Sequence, residues 1–333
     1  MEFLPSPSTP PRPRWHPLAR VGLYLLAYLV VQVAVGVLFG SMAYRMDGRA
    51  FHPGGFGRST EFLLLAVVFE APPVLLVTWL FVHYLDRRNL ASLGARWPEG
   101  SRRMALRQLA TMPLAVGGLI GSWLLLIFLL PPSLGTLRFD GLNAAFTRGT
   151  GPSWWPLPPV LLLAALLLVF VLQGGVEEWI MRGYIYRALK ERWRPFWAAL
   201  ASSALFSLLH ADNPDVSAVA LLNIILAGLI LAALVERGGS LWGATLAHGF
   251  WNFAIACVVS VPVSGIRTFH LLDLSVTGNE TLTGGAFGPE GSLVLTLLGL
   301  ALAVALWLRL PAARPRKEIA PSAAEDTPES VPL

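Results

Sequence analysis

Residues 160–186, VLLLAALLLVFVLQGGVEEWIMRGYIY, indicate the fold class, because a long apolar run leads directly into a group of charged residues. No charged residue precedes Glu177 in this stretch. A helix of about 20 apolar residues crosses the roughly 30 Å hydrocarbon core of a bilayer. The stretch therefore predicts a membrane-spanning helix that has three ionisable side chains, Glu177, Glu178 and Arg182, at its edge.

The composition of the whole chain is that of a membrane protein. Hydrophobic residues make up 55% of the 333 residues and charged residues 14%, whereas soluble domains have about 25% charged residues. Eight apolar runs reach or approach the length of a span, of which 196–211 is the shortest: 21–44, 62–85, 109–131, 156–176, 196–211, 216–235, 240–262 and 291–309. The sequence predicts an all-α, polytopic membrane helix bundle with about eight transmembrane helices.

The basic residues predict how the bundle is oriented. If the N-terminus is inside, 19 of the 25 Lys and Arg residues fall on the cytoplasmic side, so the positive-inside rule places both termini in the cytoplasm. The net charge of +5 is thus a signal of topology. Because no basic stripe is interleaved with aromatic residues, we expect no nucleic-acid partner. The expected setting is the lipid bilayer of the plasma membrane, crossed several times.

The chain divides into five expected segments. The proline-rich start and the polar end have the composition of disordered tails, and the single cysteine, Cys257, excludes an internal disulfide and a thiolate metal site. The segments are a disordered N-terminal tail (1–20), N-terminal transmembrane helices (21–155), a motif-bearing catalytic core (156–262), an extracytoplasmic loop with the last helix (263–310) and a disordered C-terminal tail (311–333).

The charged group at the end of the fourth run has two interpretations. Glu178 and Arg182 are four residues apart, so they share one face of a helix and can form an ion pair, whereas Glu177 points about 100° away. An ordinary ion pair at a solvated helix end would explain two of the three residues. A functional site requires that other polar groups converge on Glu177.

Two later apolar runs supply such groups. FSLLH places Phe206 and His210 one helical turn apart, and HGFWN places His248 and Asn252 one turn apart. A single intramembrane histidine is commonly a packing residue. Polar clusters on three apolar helices are different, because each polar group must find a partner away from water. Their joint occurrence favours a site.

Hydrolysis is the chemistry that these side chains support. A glutamate can act as general base on a water molecule, and imidazole and amide groups can donate to a developing oxyanion. One glutamate and two histidines, here Glu177, His210 and His248, also form a known zinc ligand set. Neither the G-x-S-x-G motif nor HExxH is present. A zinc-bound water and a metal-free, glutamate-activated water both remain open.

The three motifs, EExxxRG from Glu177, FxxxH ending at His210 and HxxxN from His248, resemble those of the CAAX prenyl endopeptidase and bacteriocin-processing (CPBP) intramembrane protease family. The resemblance covers roughly residues 160 to 256. It implies an all-helical membrane endopeptidase in which Glu177 and His210 activate water and His248 and Asn252 stabilise the oxyanion. Glu178 and Arg182 would be supporting groups. The implied substrates are membrane-associated peptides or proteins, including prenylated, CAAX-like ones.

Two other classes of function compete with the protease. A non-catalytic membrane scaffold, or a bacteriocin-immunity-type protein, could keep the same motifs. A transporter could use the intramembrane glutamates and histidines as a proton relay. Transporters commonly show repeats with paired broken helices, and the sequence contains none that we detect.

Overall fold

A computed structural model describes residues 15–47, 60–95, 102–152, 155 and 157–310, and helices occupy all eight apolar runs. The α-helices of this part of the chain are α1 (Pro17–Asp47), α2 (Thr60–Leu80), α3 (Arg102–Phe128), α4 (Ala144–Arg148), α5 (Pro159–Glu178), α6 (Tyr186–Lys190), α7 (Pro195–Leu209), α8 (Ala218–Gly238), α9 (Trp242–Phe253), α10 (Glu280–Thr283) and α11 (Leu293–Leu308). The expected C-terminal tail, 311–333, and residues 1–14 of the expected N-terminal tail, 1–20, lie outside the described residues.

Five helical segments of the described chain are long and apolar enough to cross a membrane: Pro17–Leu38, Leu63–Leu85, Leu106–Phe128, Pro159–Lys190 and Ala218–Gly238. The other three apolar runs form shorter helices. These are α7 with 15 residues, α11 with 16, and α9 with 12 residues followed by a π-helix of five. The protein is therefore an integral membrane protein of mostly helical structure. The count of eight spans and the cytoplasmic termini stay predictions.

A two-stranded sheet departs from the all-α expectation. Strand β1 (Gly135–Leu142) pairs antiparallel with β2 (Leu272–Gly278). The ladder begins where Gly135 faces Gly278, and Gly278 has a φ of +126°, where a Cβ would lie 2.6 Å from the carbonyl oxygen of Leu134. The sequence prediction assigned both strands to connecting segments. Their pairing depends on the helix bundle, which brings the two segments together.

The motif segment does not remain α-helical. The fourth run continues from α5 through a π-helix, Trp179–Ile185, into α6, so one helical rod extends from residue 159 to 190. Every residue from Ile180 to Ile185 is buried. π-Turns inside α-helices are rare and occur frequently at functional sites. This turn places the end of the fourth run in the main core of the bundle.

Charged residues join the first helix to this rod. Arg20 is fully buried and donates to Asp86 at 2.7 Å and to Glu191, and Glu191 also accepts from Arg88 at 2.9 Å. Because α1 begins at Pro17, Arg20 is part of a packed helix, whereas the sequence prediction placed it in a disordered tail ending at residue 20. A buried arginine requires such partners, since an unpaired charge in the interior is costly.

Candidate active site

Glu178 lies at the C-terminal end of α5 and is fully buried, as is Arg182. Oε1 of Glu178 accepts from Arg182 Nη1 at 2.9 Å and lies 3.0 Å from Nδ1 of His248. Since a carboxylate can only accept, Nδ1 of His248 carries the hydrogen in this contact. The alternative of an ordinary, solvated ion pair is wrong, because neither partner reaches solvent.

Close helix packing holds the Arg182 guanidinium in place. The group lies 4.9 Å from the centre of the Phe206 ring, within cation–π distance. Gly228 of α8 faces the same group: a Cβ at this position would lie 2.8 Å from Arg182 Nη2 and 2.4 Å from Ser203 Oγ. Residues of three helical elements thus enclose the buried cation, and Gly228 leaves the space that it needs.

Glu177 directly precedes Glu178 and faces a different environment, as the helical spacing predicts. Its side chain is 24% exposed. Oε1 accepts from Gln173 Nε2, and Oε2 lies 3.5 Å from Nε2 of His248. A carboxylate oxygen therefore faces each ring nitrogen of His248. In its imidazolium form, this ring can donate from both sides.

Asn252 joins the same group through a residue that the sequence analysis missed. Its Nδ2 donates to Oε1 of Gln173 at 3.0 Å, and Gln173 in turn donates to Glu177. The signal was present in the sequence, because Gln173 precedes Glu177 by four residues on the same helix and is the only polar side chain in the apolar part of the 160–186 stretch.

His210 follows α7 as its C-terminal capping residue. Its Nδ1 lies 2.9 Å from the carbonyl oxygen of Phe206, and the two rings are in edge-to-face contact at 4.6 Å. Because a carbonyl can only accept, Nδ1 carries the hydrogen, and Nε2 of the neutral ring is left as an acceptor. The described contacts join Glu177 to His248 and do not join it to His210.

A cavity of about 430 Å³ nevertheless brings His210 to the same space as Glu177 and His248. Its polar wall includes Gln173, Glu177, His210, His248 and Asn252, and its apolar walls come mainly from α3, α8 and α11. Four of the six candidate residues thus line one cavity, while Glu178 and Arg182 lie behind it as buried supports.

The segment between α9 and α11 closes another part of the cavity. Glu290 accepts from Trp251 Nε1 at 3.0 Å and from the backbone and hydroxyl of Ser264 at 2.8 and 2.6 Å. Asn223 of α8 donates to the carbonyl oxygens of Glu290 and Ser292. The expected extracytoplasmic loop therefore has a fixed structure that contributes to the cavity wall.

The expected zinc ligands do not form a ligand set. The described residues contain no group of three or more His, Cys, Asp and Glu side chains that could hold a metal ion. Glu177 and His248 adjoin each other, but His210 is not grouped with them, and its Nδ1 contacts the carbonyl oxygen of Phe206 instead. This arrangement does not fit a zinc site, and the chemistry proposed below therefore involves only side chains and water.

Comparison with known proteins agrees with the three motifs. Residues 159–254 match the family model described as type II CAAX prenyl endopeptidase, Rce1-like. The matched residues extend from the start of α5 to the end of α9 and include all three motifs. No curated protein gives a significant match to the chain. The resemblance to the CAAX-type, CPBP intramembrane proteases expected from the three motifs is thus confirmed by a family match over residues 159–254.

Proposed function

We propose that this protein is an intramembrane endopeptidase that hydrolyses peptide bonds of membrane-associated substrates, including prenylated, CAAX-like peptides. One observation carries the proposal: Glu177, Gln173, Asn252, His248 and Glu178 form one connected polar group beside a cavity, within the residues that match a protease family. Polar and ionisable groups in membrane helices are energetically costly, and those that occur there commonly belong to a functional site.

Glu177 is the proposed general base. Its Oε2 has no hydrogen-bond partner among the described residues, so it has acceptor capacity for a water molecule. Glu177 takes a proton from the water while the water oxygen bonds to the carbonyl carbon of the substrate. The protonated Glu177 then returns the proton to the leaving amine as the C–N bond breaks. His210 supplies a second contact to the water, because its Nε2 is left as an acceptor.

His248 and Asn252 are the proposed oxyanion donors. When water adds to the carbonyl carbon, the negative charge develops on the carbonyl oxygen, and N–H donors already directed at that oxygen stabilise it without reorganisation. Asn252 has a second N–H group beyond the one that it donates to Gln173. As an imidazolium, His248 carries an N–H on Nε2 in addition to the Nδ1–H that it donates to Glu178. Nε2 lies 3.5 Å from Oε2 of Glu177 and can exchange that contact for the substrate oxygen.

Glu178 and Arg182 are the proposed supporting pair. Arg182 neutralises Glu178, and Glu178 fixes the ring of His248 through Nδ1. A histidine that is held through one nitrogen presents the other in a defined direction. The pair thus acts through His248 and has no proposed contact with substrate.

The form of the cavity supports a membrane-associated substrate. Its walls are largely apolar and belong mainly to α3 and α8, which are long enough to span a bilayer, and to the shorter α11. A substrate with a lipid or apolar anchor can therefore reach the polar wall from the membrane. For a chain with this many apolar helices we propose the plasma membrane as the location. The prenyl group and the CAAX-like sequence follow from the family and not from the cavity alone.

Hydrolysis of defined peptides tests this function. The purified protein is reconstituted in lipid nanodiscs and incubated with prenylated and unprenylated CAAX-like peptides, and the cleavage products are identified by mass spectrometry. We expect cleavage by the parent and none by Glu177→Gln, which cannot take a proton from water. Glu280→Gln, which alters an exposed glutamate on α10, is the matched control and should cleave like the parent.

The same variants separate the competing functions. A scaffold or immunity-type protein would bind a membrane partner equally well in the parent and in Glu177→Gln, and neither protein would release a product. A proton relay would give pH-dependent proton flux across the membrane of a reconstituted vesicle, and this flux would be lost in Glu177→Gln. Absence of any cleavage by the folded parent would refute the protease.

A further inference from the structure

Gln173 is placed between the two halves of the proposed catalytic group. Its Nε2 donates to Oε1 of Glu177, and its Oε1 accepts from Nδ2 of Asn252 at 3.0 Å. Gln173 also lines the cavity. The three motifs that identify the family do not include this residue, and the proposed chemistry above does not use it.

We propose that Gln173 is a positioning residue that couples the general base, Glu177, to the oxyanion donor, Asn252. The inference rests on the proposed function. A primary amide suits this place because it combines a donor and an acceptor on one rigid plane. A carboxylate at this position would only accept, and an apolar side chain would do neither.

The contacts determine the orientation of both amides. An ionised Glu177 can only accept, so the NH₂ end of Gln173 must face it, and the oxygen of Gln173 must then face Asn252. Asn252 therefore has to present its NH₂ end to Gln173. The charge on Glu177 thus fixes the orientation of the Gln173 amide. As a result, the amide of Asn252 donates, and does not accept, in its hydrogen bond with Gln173.

Two consequences for catalysis follow from this orientation. Since Oε1 of Glu177 is occupied by Gln173, Oε2 is the oxygen that remains to take the proton. Since one N–H of Asn252 is occupied, the second N–H remains for the oxyanion. Without Gln173, Glu177 could rotate and Asn252 could turn its oxygen toward the developing negative charge.

A purely structural role for Gln173 predicts a different result. An interhelical hydrogen bond between α5 and α9 would stabilise the fold, and its removal would reduce the amount of folded protein without changing the turnover of what remains. A positioning role predicts that the folded enzyme has a lower kcat with little change in KM, because the bound substrate meets a misplaced base and donor.

Substitution by an apolar residue of similar length tests the inference. We expect Gln173→Met to lower kcat about 10- to 100-fold, the scale for a lost hydrogen bond to a charged group or a small misplacement of reacting groups. Gln173→Glu keeps an acceptor for Asn252 but faces Glu177 with a second carboxylate, so it should also lower kcat. Gln108→Met on α3, outside the cavity wall, is the matched control and should keep the parent kcat.

A double-mutant cycle gives a readout that a structural role would not change. If Gln173 acts partly through Asn252, Gln173→Met should cost less in an Asn252→Ala background than in the parent, whereas independent sites would be additive. All values are measured per folded enzyme, with thermal unfolding of each variant as the check on folding. Parent-like kcat in folded Gln173→Met, or full additivity with Asn252→Ala, would overturn the inference while leaving the protease itself established by the parent and Glu177→Gln.

Failure of the proposed function has a separate signature. If the folded parent cleaves none of the peptides, the protease is refuted, and the inference about Gln173 is refuted with it. If the parent is active and Glu177→Gln is inactive, the results for Gln173→Met decide the inference alone.

Discussion

Glu178 and His248 are joined by a contact of 3.0 Å between Oε1 and Nδ1, although they lie 70 residues apart on α5 and α9. The same oxygen of Glu178 also accepts from Arg182 at 2.9 Å. A single buried carboxylate oxygen therefore binds a cation on its own helical rod and a histidine on another helix. This relationship explains how one motif can orient a residue of a second motif.

Glu178→Gln should impair both the site and the fold. The substitution keeps an acceptor for His248 but removes the charge that neutralises Arg182, which then lies unpaired in the interior. Truncation of one partner of a buried pair costs about 3–5 kcal/mol in other proteins. We expect a lower unfolding temperature and a lower kcat, measured on the reconstituted protein. If the unfolding temperature and kcat of Glu178→Gln both equal those of the parent, the Glu178–Arg182 pair supports neither the fold nor the site.

Removing both charges should be less harmful than removing one. We expect Glu178→Gln combined with Arg182→Met to be more stable than either single variant, because no uncompensated charge remains in the interior. The double variant should still turn over slowly, since His248 loses the carboxylate that orients it. Thermal unfolding of the four proteins measures the coupling. A double variant as unstable as the sum of the single variants would contradict the prediction.

Asn252→Ala should act mainly on kcat. Loss of one oxyanion donor lowers kcat by about 10²–10³ in other hydrolases, because the contact is made in the transition state. KM should change little, since the ground-state carbonyl gains less from the donor. Initial rates over a range of substrate concentrations separate the two constants. An effect confined to KM would assign Asn252 to substrate binding.

Gly228→Ala should disturb Arg182, because the added methyl group would occupy the space that the guanidinium needs. The new methyl group would lie 2.4 Å from Ser203 Oγ and 2.8 Å from Arg182 Nη2, so both side chains would have to move. Overpacking of this kind costs typically about 1–3 kcal/mol. Gly117→Ala on α3, where no atom lies within 4 Å of the added group, is the matched control. It should unfold at the parent temperature or slightly above it, because alanine favours a helix over glycine. Equal unfolding temperatures for both variants would contradict the packing argument.

Metal analysis decides between the two mechanisms that the sequence left open. The donors around Glu177 do not form a zinc ligand set, so we expect activity to survive chelation and metal content to be independent of His248. Elemental analysis of the parent and His248→Ala, together with a chelation assay, measures both. Stoichiometric zinc that is lost with His248, and activity restored to the apoprotein by Zn²⁺, would establish a metalloprotease.

The helical membrane class followed from the sequence alone. Apolar runs of span length have few alternatives in a bilayer, because their backbone groups must be satisfied within the segment. The three motifs could also be assigned, since residues four apart share a helix face whatever the rest of the fold does. The match of residues 159–254 to a protease family agrees with that assignment.

The two-stranded sheet and the ion pairs of Arg20 could be recognised only in the tertiary structure. β1 and β2 belong to segments that are distant in sequence, and a strand pair of this kind has no local signal comparable to an apolar run. Arg20 was assigned to a tail because the segment before it is rich in proline. Its partners, Asp86 and Glu191, come from other parts of the chain.

In the candidate site, the sequence predicts the residue types, and the structure shows how their side chains are paired. The residue types that would converge could be predicted from the sequence, because an intramembrane glutamate, two histidines and an asparagine each need polar partners. The pairing required the packed helices: His248 lies between Glu177 and Glu178, and Gln173 connects Glu177 to Asn252. Helical spacing fixes the face on which a side chain lies, but the distance between two faces depends on how the helices pack, and hydrogen bonds form only over about 3 Å.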